Sequence, residues 1–324
     1  MILSVSRRTD IPAFYPKWFV NRVREGFVYV RNPFNANQIS RIPLSEDVVD
    51  CIVFWSKNPE PIMEYLPEIS KKYHDAFYFQ YTINAYGHDM EPAIPELHMR
   101  IDSFKKLSDT YGPERVVWRY DPILLGEGYS LAWHQRWFEI VFGELRHYTD
   151  TCVISFIDMY EKTIKNAKPY NISAPAAEEI DALAAAFSSV VKGSGLRIKT
   201  CAEGVDLNRY GIEPNRCIDQ ARIERIIGCP IKAKPDRQRD NCRCIECADI
   251  GLYNTCLHGC RYCYANYSMS QVRQAVAAHD DNSPLLTGTL TSSSVIKDYS
   301  KAKTLKTHLP DDGQMRLFQP IRNL

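Results

Sequence analysis

Three cysteines in one short segment are the strongest chemical feature of the sequence. Cys256, Cys260 and Cys263 follow one another at intervals of four and three residues, and the aromatic Tyr262 precedes the last of them. Thiolates at this spacing can point toward one centre from a single loop, which is typical of metal or iron–sulfur ligation and not of ordinary packing. The spacing therefore predicts a loop that binds a metal ion or a cluster.

The pattern Cys-x3-Cys-x-aromatic-Cys resembles the signature of the radical SAM superfamily. The resemblance implies that Cys256, Cys260 and Cys263 hold a four-iron four-sulfur cluster whose fourth iron stays open for S-adenosylmethionine. It also implies an electron donor such as flavodoxin or ferredoxin, and a 5′-deoxyadenosyl radical that abstracts a hydrogen atom from substrate. Tyr262 is then expected against the adenine of the cofactor.

A structural zinc site is the alternative interpretation of the same loop. Zinc in structural sites takes four protein ligands, and His258 inside the loop could supply the fourth. The protein would then be a zinc-stabilised α/β barrel that acts as a binding or hydrolytic module without cluster chemistry.

The other cysteines also gather in the last third of the chain. All but two of the eleven lie between Cys201 and Cys263, which indicates metal or cluster ligation and not a disulfide framework. Our preferred ligands for a second site are Cys201, Cys217, Cys242 and Cys244, with Cys229 and Cys247 as substitutes. A second four-iron four-sulfur cluster would resemble those of many radical SAM enzymes, and zinc fits four thiolates equally well. The remaining two, Cys51 and Cys152, lie in apolar runs and are expected to be buried.

Six apolar segments along the chain have the length and composition of β-strands. They cover residues 2–8, 48–55, 76–84, 115–123, 152–157 and 196–202. Amphipathic segments predict helices over residues 15–25, 61–73, 97–110, 130–145 and 176–192. Strands that alternate with helices in this way form parallel βα units. We therefore expect an α/β protein with a partial, TIM-like (β/α) barrel of about six to seven parallel strands.

The cysteine loop lies at an unusual place for the superfamily it resembles, because most members carry it after the first strand. Here a candidate strand over residues 249–254 precedes the loop, and a candidate helix over residues 265–279 follows it. We predict that the first unit of the barrel is displaced to the C-terminus, a circular permutation, and that it packs beside the strand at residues 2–8. The alternative geometry is a lobe that folds over the barrel mouth without joining the sheet.

These elements divide the chain into three segments. Residues 1–203 form the barrel of βα repeats, including a polar, proline-rich link after the first helix. Residues 204–279 form a cysteine-rich, cluster-binding segment on the barrel mouth, and residues 280–324 form an extended C-terminal tail.

In folds of this kind, functional side chains collect where the carboxyl ends of the strands meet. The segments WSKNP at residues 55–59 and WRYDP at residues 118–122 resemble strand ends of spore photoproduct lyase-like radical SAM proteins. Lys57 and Arg119 offer cations for the methionine carboxylate or an anionic substrate, and Asp121 could accept from a ribose hydroxyl or the amino group. The simpler alternative is that Arg119 and Asp121 pair with each other.

Further strand-end residues complete the predicted site. We assign Ser56, Asn58 and Asp158, together with Tyr262, to cofactor binding. No G-x-G-x-x-G or P-loop follows a strand, so a glycine-rich phosphate cradle is not expected.

Composition limits the classes of partner. The formal net charge is +1, so no global field recruits a nucleic acid, although the likeness to the photoproduct lyase group suggests one. We expect a small-molecule or nucleotide substrate. No apolar run approaches the roughly 20 residues that span a bilayer, and the N-terminus lacks the order of a signal peptide, so we expect a cytoplasmic protein without a membrane partner. From residue 2 to about residue 266 the chain resembles a bacterial family of unknown function with these cysteines near its C-terminus.

Overall fold

Eleven strands and ten α-helices are present in residues 1–236 and 240–307, the part of the chain that the computed structural model describes. The strands are β1 (Ile2–Val5), β2 (Phe27–Arg31), β3 (Gln38–Pro43), β4 (Cys51–Ser56), β5 (Phe77–Thr82), β6 (Val116–Ile123), β7 (Thr151–Phe156), β8 (Arg197–Thr200), β9 (Glu213–Pro214), β10 (Ala248–Asp249) and β11 (Val295–Asp298). The helices are α1 (Ile11–Phe14), α2 (Pro16–Glu25), α3 (Glu60–Met63), α4 (Leu66–Tyr73), α5 (Leu97–Tyr111), α6 (Leu131–Leu145), α7 (Glu161–Ala167), α8 (Ala177–Val191), α9 (Gln220–Ile227) and α10 (Met269–Ala277).

Eight of the strands form one parallel sheet in the order β10-β1-β4-β5-β6-β7-β8-β9. The prediction of an α/β protein built on a large parallel sheet is confirmed, with eight strands where about six to seven were expected. Strands β9 and β10 are the two edges of this sheet among the described residues. All strands of the sheet therefore end on the same side, and their carboxyl ends gather the loops that carry the predicted chemistry.

The strand in front of the cysteine loop joins this sheet beside β1. Leu3 pairs with Ala248 and Ser4 pairs with Asp249. The prediction that the displaced unit packs next to the first strand is therefore confirmed, and the alternative of a lobe outside the sheet is wrong. The strand begins one residue before the predicted range of 249–254. It is only two residues long, because the chain turns away directly after Asp249.

Side-chain hydrogen bonds compensate for the shortness of β10. The Asp249 carboxylate accepts from the hydroxyls of Ser4 at 2.8 Å and Ser6 at 2.6 Å. Gly251 lies so close to the same serine that a Cβ atom there would be 2.6 Å from the Cβ of Ser6. The cysteine unit is thus attached to the start of the chain by polar groups and by close backbone approach.

The two faces of the sheet are covered in different ways. Ile52 and Phe54 of β4 face the core that the helices cover, and Phe54 stacks on Phe79 of β5 at 4.7 Å between ring centres. Cys51 and Val53 face the other side, where α9 and the cysteine-rich residues after it supply the partners. Strands buried on both faces explain why the sheet sequences are continuous apolar runs. Cys51 is fully buried as predicted, and so is Cys152.

The prediction of a polar link after α2 is wrong, because this segment contains the antiparallel hairpin β2–β3. This hairpin forms a second sheet in which β11 pairs in parallel with β3. Its strands bury only a few side chains, such as Val28 and Ile42, and they are joined by the polar, proline-containing residues 32–37. Beyond α10 the chain buries Leu285 and Leu286 before it reaches β11. The last part of the predicted tail, residues 308–324, lies outside the described residues.

A buried histidine makes the stability of the fold depend on pH. His134 of α6 is fully buried, with Nε2 2.7 Å from the Leu124 carbonyl and Nδ1 2.9 Å from the Tyr120 hydroxyl. The carbonyl can only accept, so Nε2 carries the proton and the neutral ring satisfies both neighbours. Burial lowers the pKa of His134 to about 4.

We predict that the free energy of unfolding falls between about pH 6.5 and pH 4 because of this histidine. The folded pKa is lower than the unfolded value of about 6.5, so the unfolded state binds more protons in this range and the stability is fully present only above it. The full loss is about 3 kcal/mol for a shift of this size. Urea unfolding across this range tests it: the stability gap between the wild type and His134→Gln narrows toward pH 4, and a constant gap would contradict the prediction.

Candidate functional site

The carboxyl ends of the parallel strands open into a cavity of about 730 Å³. This volume is within the range of about 300–1,000 Å³ that is typical of small-molecule sites. All but one of the side chains predicted from the sequence to form the site line it: Ser56, Lys57, Arg119, Asp121, Asp158, Cys201, Cys217, Cys242, Cys244, Cys256, Cys260, Tyr262 and Cys263. The exception is Asn58, whose backbone N–H donates to the Ser56 hydroxyl at 2.9 Å.

The cysteine loop lies against the segment that follows β5. Its backbone is tied there by two hydrogen bonds, from Ala93 N to the His258 carbonyl at 3.2 Å and from Arg261 N to the Met90 carbonyl at 3.0 Å. Burial raises the pKa of the Cys256 thiol to about 12 and the pKa of Cys260 well above its usual value. Cys256 and Cys260 therefore hold neutral thiols, which must lose their protons when they ligate a metal.

One carboxylate, that of Asp10, links the start of the chain to the cysteine loop. Its Oδ1 accepts from the Ala13 backbone at 3.0 Å and from the Ser56 hydroxyl at 2.8 Å. Its Oδ2 accepts from the Lys57 backbone at 2.7 Å and from Nε2 of His258 at 2.7 Å. A residue that caps α1 thus also fixes the end of β4 and the centre of the cysteine motif.

His258 has one nitrogen in use and one without a partner. Because a carboxylate can only accept, Nε2 donates to Asp10 and the neutral ring keeps its lone pair on Nδ1. This Nδ1 is buried and has no hydrogen-bond partner within residues 1–236 and 240–307. A buried nitrogen of this kind is a candidate metal ligand.

Lys57 and Tyr262 meet at a buried glutamate that sequence reasoning missed. Glu91 is 1% exposed, accepts from Lys57 Nζ at 2.8 Å and also accepts from the Tyr262 hydroxyl. Burial would raise the pKa of Glu91, but the nearby charges of Lys57 and Arg100 lower it below its usual value. The ammonium of Lys57 is therefore already paired with a carboxylate, and Tyr262 is held in place through its hydroxyl.

Arg119 and Asp121 form the pair that the simpler interpretation expected. Arg119 Nε is 3.0 Å from Asp121 Oδ2, while Nη1 donates to Gln80 at 3.1 Å and to Cys217 Sγ at 3.0 Å. Burial would lower the pKa of Arg119, but Cys217 and Asp121 raise it well above its usual value. The guanidinium also lies over the ring of Trp55 at 5.5 Å. Arg119 is thus a buried cation whose donors point at groups of the protein.

The four preferred cysteines of the second group come together on the cavity wall. The Sγ atoms of Cys201 and Cys217 are 3.1 Å apart, and the side chain of Cys244 interacts with those of Cys217 and Cys242. The two substitutes do not line the cavity. Of these, Cys247 accepts from Arg7 at 3.3 Å, and burial raises its pKa to about 12; Cys229 is half-buried.

Neither cysteine group surrounds a single point. Within the described ranges, no group of three or more His, Cys, Asp and Glu side chains is arranged to hold a metal ion. A four-iron cluster is wider than an ion, and its thiolates lie correspondingly farther apart. Three half-buried thiols on one loop beside a cavity of about 730 Å³ form a donor set that suits such a cluster and leaves room for a further ligand.

Comparison with protein families gives one assignment. Residues 2–265 match the family model of DUF1848, described as a domain of unknown function. The chain belongs to the DUF1848 family. The matched residues include both cysteine groups and every strand of the large sheet. A search of curated proteins and a search of solved structures found no match. No helix in the described part of this DUF1848 protein has the length and apolar character to cross a membrane.

We predict that Asp10→Asn destabilises the fold by about 1–3 kcal/mol for each buried donor left without an acceptor. The amide has one acceptor oxygen, whereas the carboxylate serves donors at both oxygens, including Lys57 N and His258 Nε2. Urea unfolding measures the loss. The matched control is Asp109→Asn on the exposed face of α5, which should leave the midpoint unchanged. Equal midpoints for the two variants would contradict the central role of this carboxylate.

Proposed function

We propose that the protein is a radical SAM enzyme. One observation carries the proposal: Cys256, Cys260 and Cys263 line a single cavity together with polar residues from the carboxyl ends of the sheet. These three thiols would hold a four-iron four-sulfur cluster, and S-adenosylmethionine would occupy the cavity beside it. When bound, the cluster would supply the electron that cleaves the sulfonium of S-adenosylmethionine and yields a 5′-deoxyadenosyl radical.

The strand order supports a permuted radical SAM barrel as the architecture. If β10 is placed before β1, neighbouring strands of the large sheet follow one another along the chain, with only β2, β3 and β11 of the second sheet left out. The unit of strand, cysteine loop and helix then takes first place, ahead of β1. We propose that the sheet is a partial, TIM-like barrel of this permuted kind.

Several side chains would then orient the cofactor and exclude water. Tyr262 is buried and fixed by Glu91, so its ring forms a rigid wall for the adenine. Asp158 is exposed at the cavity and presents a carboxylate that suits ribose hydroxyls. Ser56 acts indirectly, because its hydroxyl holds Asp10.

The paired charges define the polar wall that faces the substrate. Lys57 with Glu91 and Arg119 with Asp121 are two partly buried ion pairs beside the cavity. A small molecule or nucleotide fits the volume, and a cytoplasmic flavodoxin or ferredoxin would deliver the electron. Since both cations are already compensated, an anionic group of substrate or cofactor would have to share them with these carboxylates.

A zinc site in the same loop is the second candidate, and His258 favours it. Its Nε2 donates to Asp10, which is the arrangement that orients metal-binding histidines, and its Nδ1 is buried without a partner in the described residues. Cys256, His258, Cys260 and Cys263 would form a Cys3His site, closed as structural zinc sites are. The protein would then be a zinc-stabilised α/β binding or hydrolytic module.

We predict that anaerobically reconstituted protein carries about four iron and four sulfide atoms at this loop and forms 5′-deoxyadenosine with dithionite and S-adenosylmethionine. Cys260→Ala should lose this iron and the product together. The matched control is Cys229→Ala, because Cys229 lies outside the cavity, and it should keep both. Metal analysis and chromatography of the product are the measurements.

Two results would overturn the radical SAM proposal. One is full iron loading without any 5′-deoxyadenosine. The other is a colourless protein whose zinc is lost in Cys260→Ala and in His258→Ala, which would establish the Cys3His zinc site instead.

A further inference from the structure

We propose that Cys201, Cys217, Cys242 and Cys244 bind one zinc ion on the cavity wall, as a closed four-thiolate site. These four residues come from three parts of the chain, since Cys201 directly follows β8, Cys217 precedes α9, and Cys242 and Cys244 follow α9. The inference does not depend on the proposed function, because it concerns thiols other than those of the cysteine loop.

The four thiols form a row of neighbours, of which Cys201 and Cys217 are in direct contact. Cys217 and Cys244 are at most 5% exposed, while the two ends of the row are half-buried. The two central thiols therefore have almost no contact with solvent that could form hydrogen bonds with them.

The spacing of the row favours a single ion over a cluster. Two sulfurs bound to one zinc at about 2.3 Å in a tetrahedron lie about 3.8 Å apart. The first pair, at 3.1 Å, is therefore short of the zinc geometry by less than about 1 Å. This shortfall agrees with the finding that no three ligand side chains in the described residues yet surround a point. A four-iron cluster would require the sulfurs to separate much further.

The surroundings supply the N–H donors that thiolate sites use. Arg119 Nη1 donates to Cys217 Sγ at 3.0 Å, Asn215 Nδ2 lies 3.6 Å from the same sulfur, and the Ile218 backbone donates to Cys244 Sγ at 3.4 Å. Such outer contacts orient metal-binding thiolates. A zinc ion with four thiolates has a net charge of −2, and Arg119 offsets part of it. Arg119 is thus a positioning residue of this site.

Four protein ligands leave zinc no open position, so the site is structural. It would join β8, the segment before α9 and the cysteine-rich segment after α9. The last of these packs on the face of the sheet that carries Cys51 and Val53. The site would thereby fix the wall of the cavity that lies under the Arg119–Asp121 pair.

The experiment measures zinc and iron separately in the full-length protein, purified anaerobically from medium that contains both metals. We expect about one zinc per chain in the wild type. The double variant Cys242→Ser/Cys244→Ser should reduce zinc at least tenfold and leave iron unchanged. Cys229→Ser/Cys247→Ser is the matched control, with two thiols of the same region outside the cavity, and should keep the zinc.

A second measurement does not depend on the folding of a variant. Wild-type protein loaded with Co²⁺ should show sulfur-to-cobalt charge-transfer absorption and the visible bands of a tetrahedral thiolate site, and Zn²⁺ should abolish both signals. Cys260→Ala should retain them, which separates this site from the cysteine loop. The proposal is overturned if the wild type binds no zinc, if the double variant keeps it, or if the double variant loses about half of the iron, which would mean a second cluster.

Discussion

The structure depends on the hydrogen bonds of one buried carboxylate. Asp10 receives four donors, from the first turn of α1, from the end of β4 and from His258 in the cysteine loop. These segments are up to 248 residues apart along the chain, yet a single side chain sets their relative positions. A buried carboxylate with all its lone pairs in use is rigid, because any displacement leaves charge and donors unsatisfied. The position of the cysteine motif over the sheet follows from this constraint.

The two predicted cations at the cavity are each paired with a carboxylate of the protein. Lys57 donates to Glu91, and Arg119 donates to Asp121 and to the sulfur of Cys217. Sequence alone presented Lys57 and Arg119 as cations open to a ligand. The folded arrangement makes them part of fixed networks, in which a ligand would meet oriented dipoles and half-compensated charges. Such a cavity wall selects among ligands by the geometry of their polar groups more than by their net charge.

Local patterns were sufficient for much of the fold. Strands of the large sheet come from apolar runs such as residues 51–55, which are buried on both faces, and the helix after Ser130 begins where its side chain caps Trp133 N. The two-residue strand β10 has no such pattern, because its pairing is fixed by Asp249 and the serines of β1. The hairpin β2–β3 was missed because the polar, proline-containing residues 32–37 between its strands are typical of a link.

The candidate site was predictable to the extent that residue type indicates chemistry. Cysteine spacing and strand-end position brought together residues that the structure places on one cavity. Glu91 could not be found in this way, because it follows no strand directly and meets Tyr262 across 171 residues of sequence. Hydrogen-bond networks that join distant segments leave no periodic pattern in the sequence. These networks determine whether a cation at a strand end is available to a ligand or paired within the protein.

The position of β10 at one edge of the sheet determines the order in which the protein can be completed. During synthesis the other seven strands of the sheet leave the ribosome before the cysteine loop does, with α5, α6 and α8 already in place to cover them. Until then β1 is an open edge with unpaired backbone groups, a state in which sheets are prone to pair with the wrong chain. The thiols of the cysteine loop are therefore synthesised after every strand of the sheet that they complete.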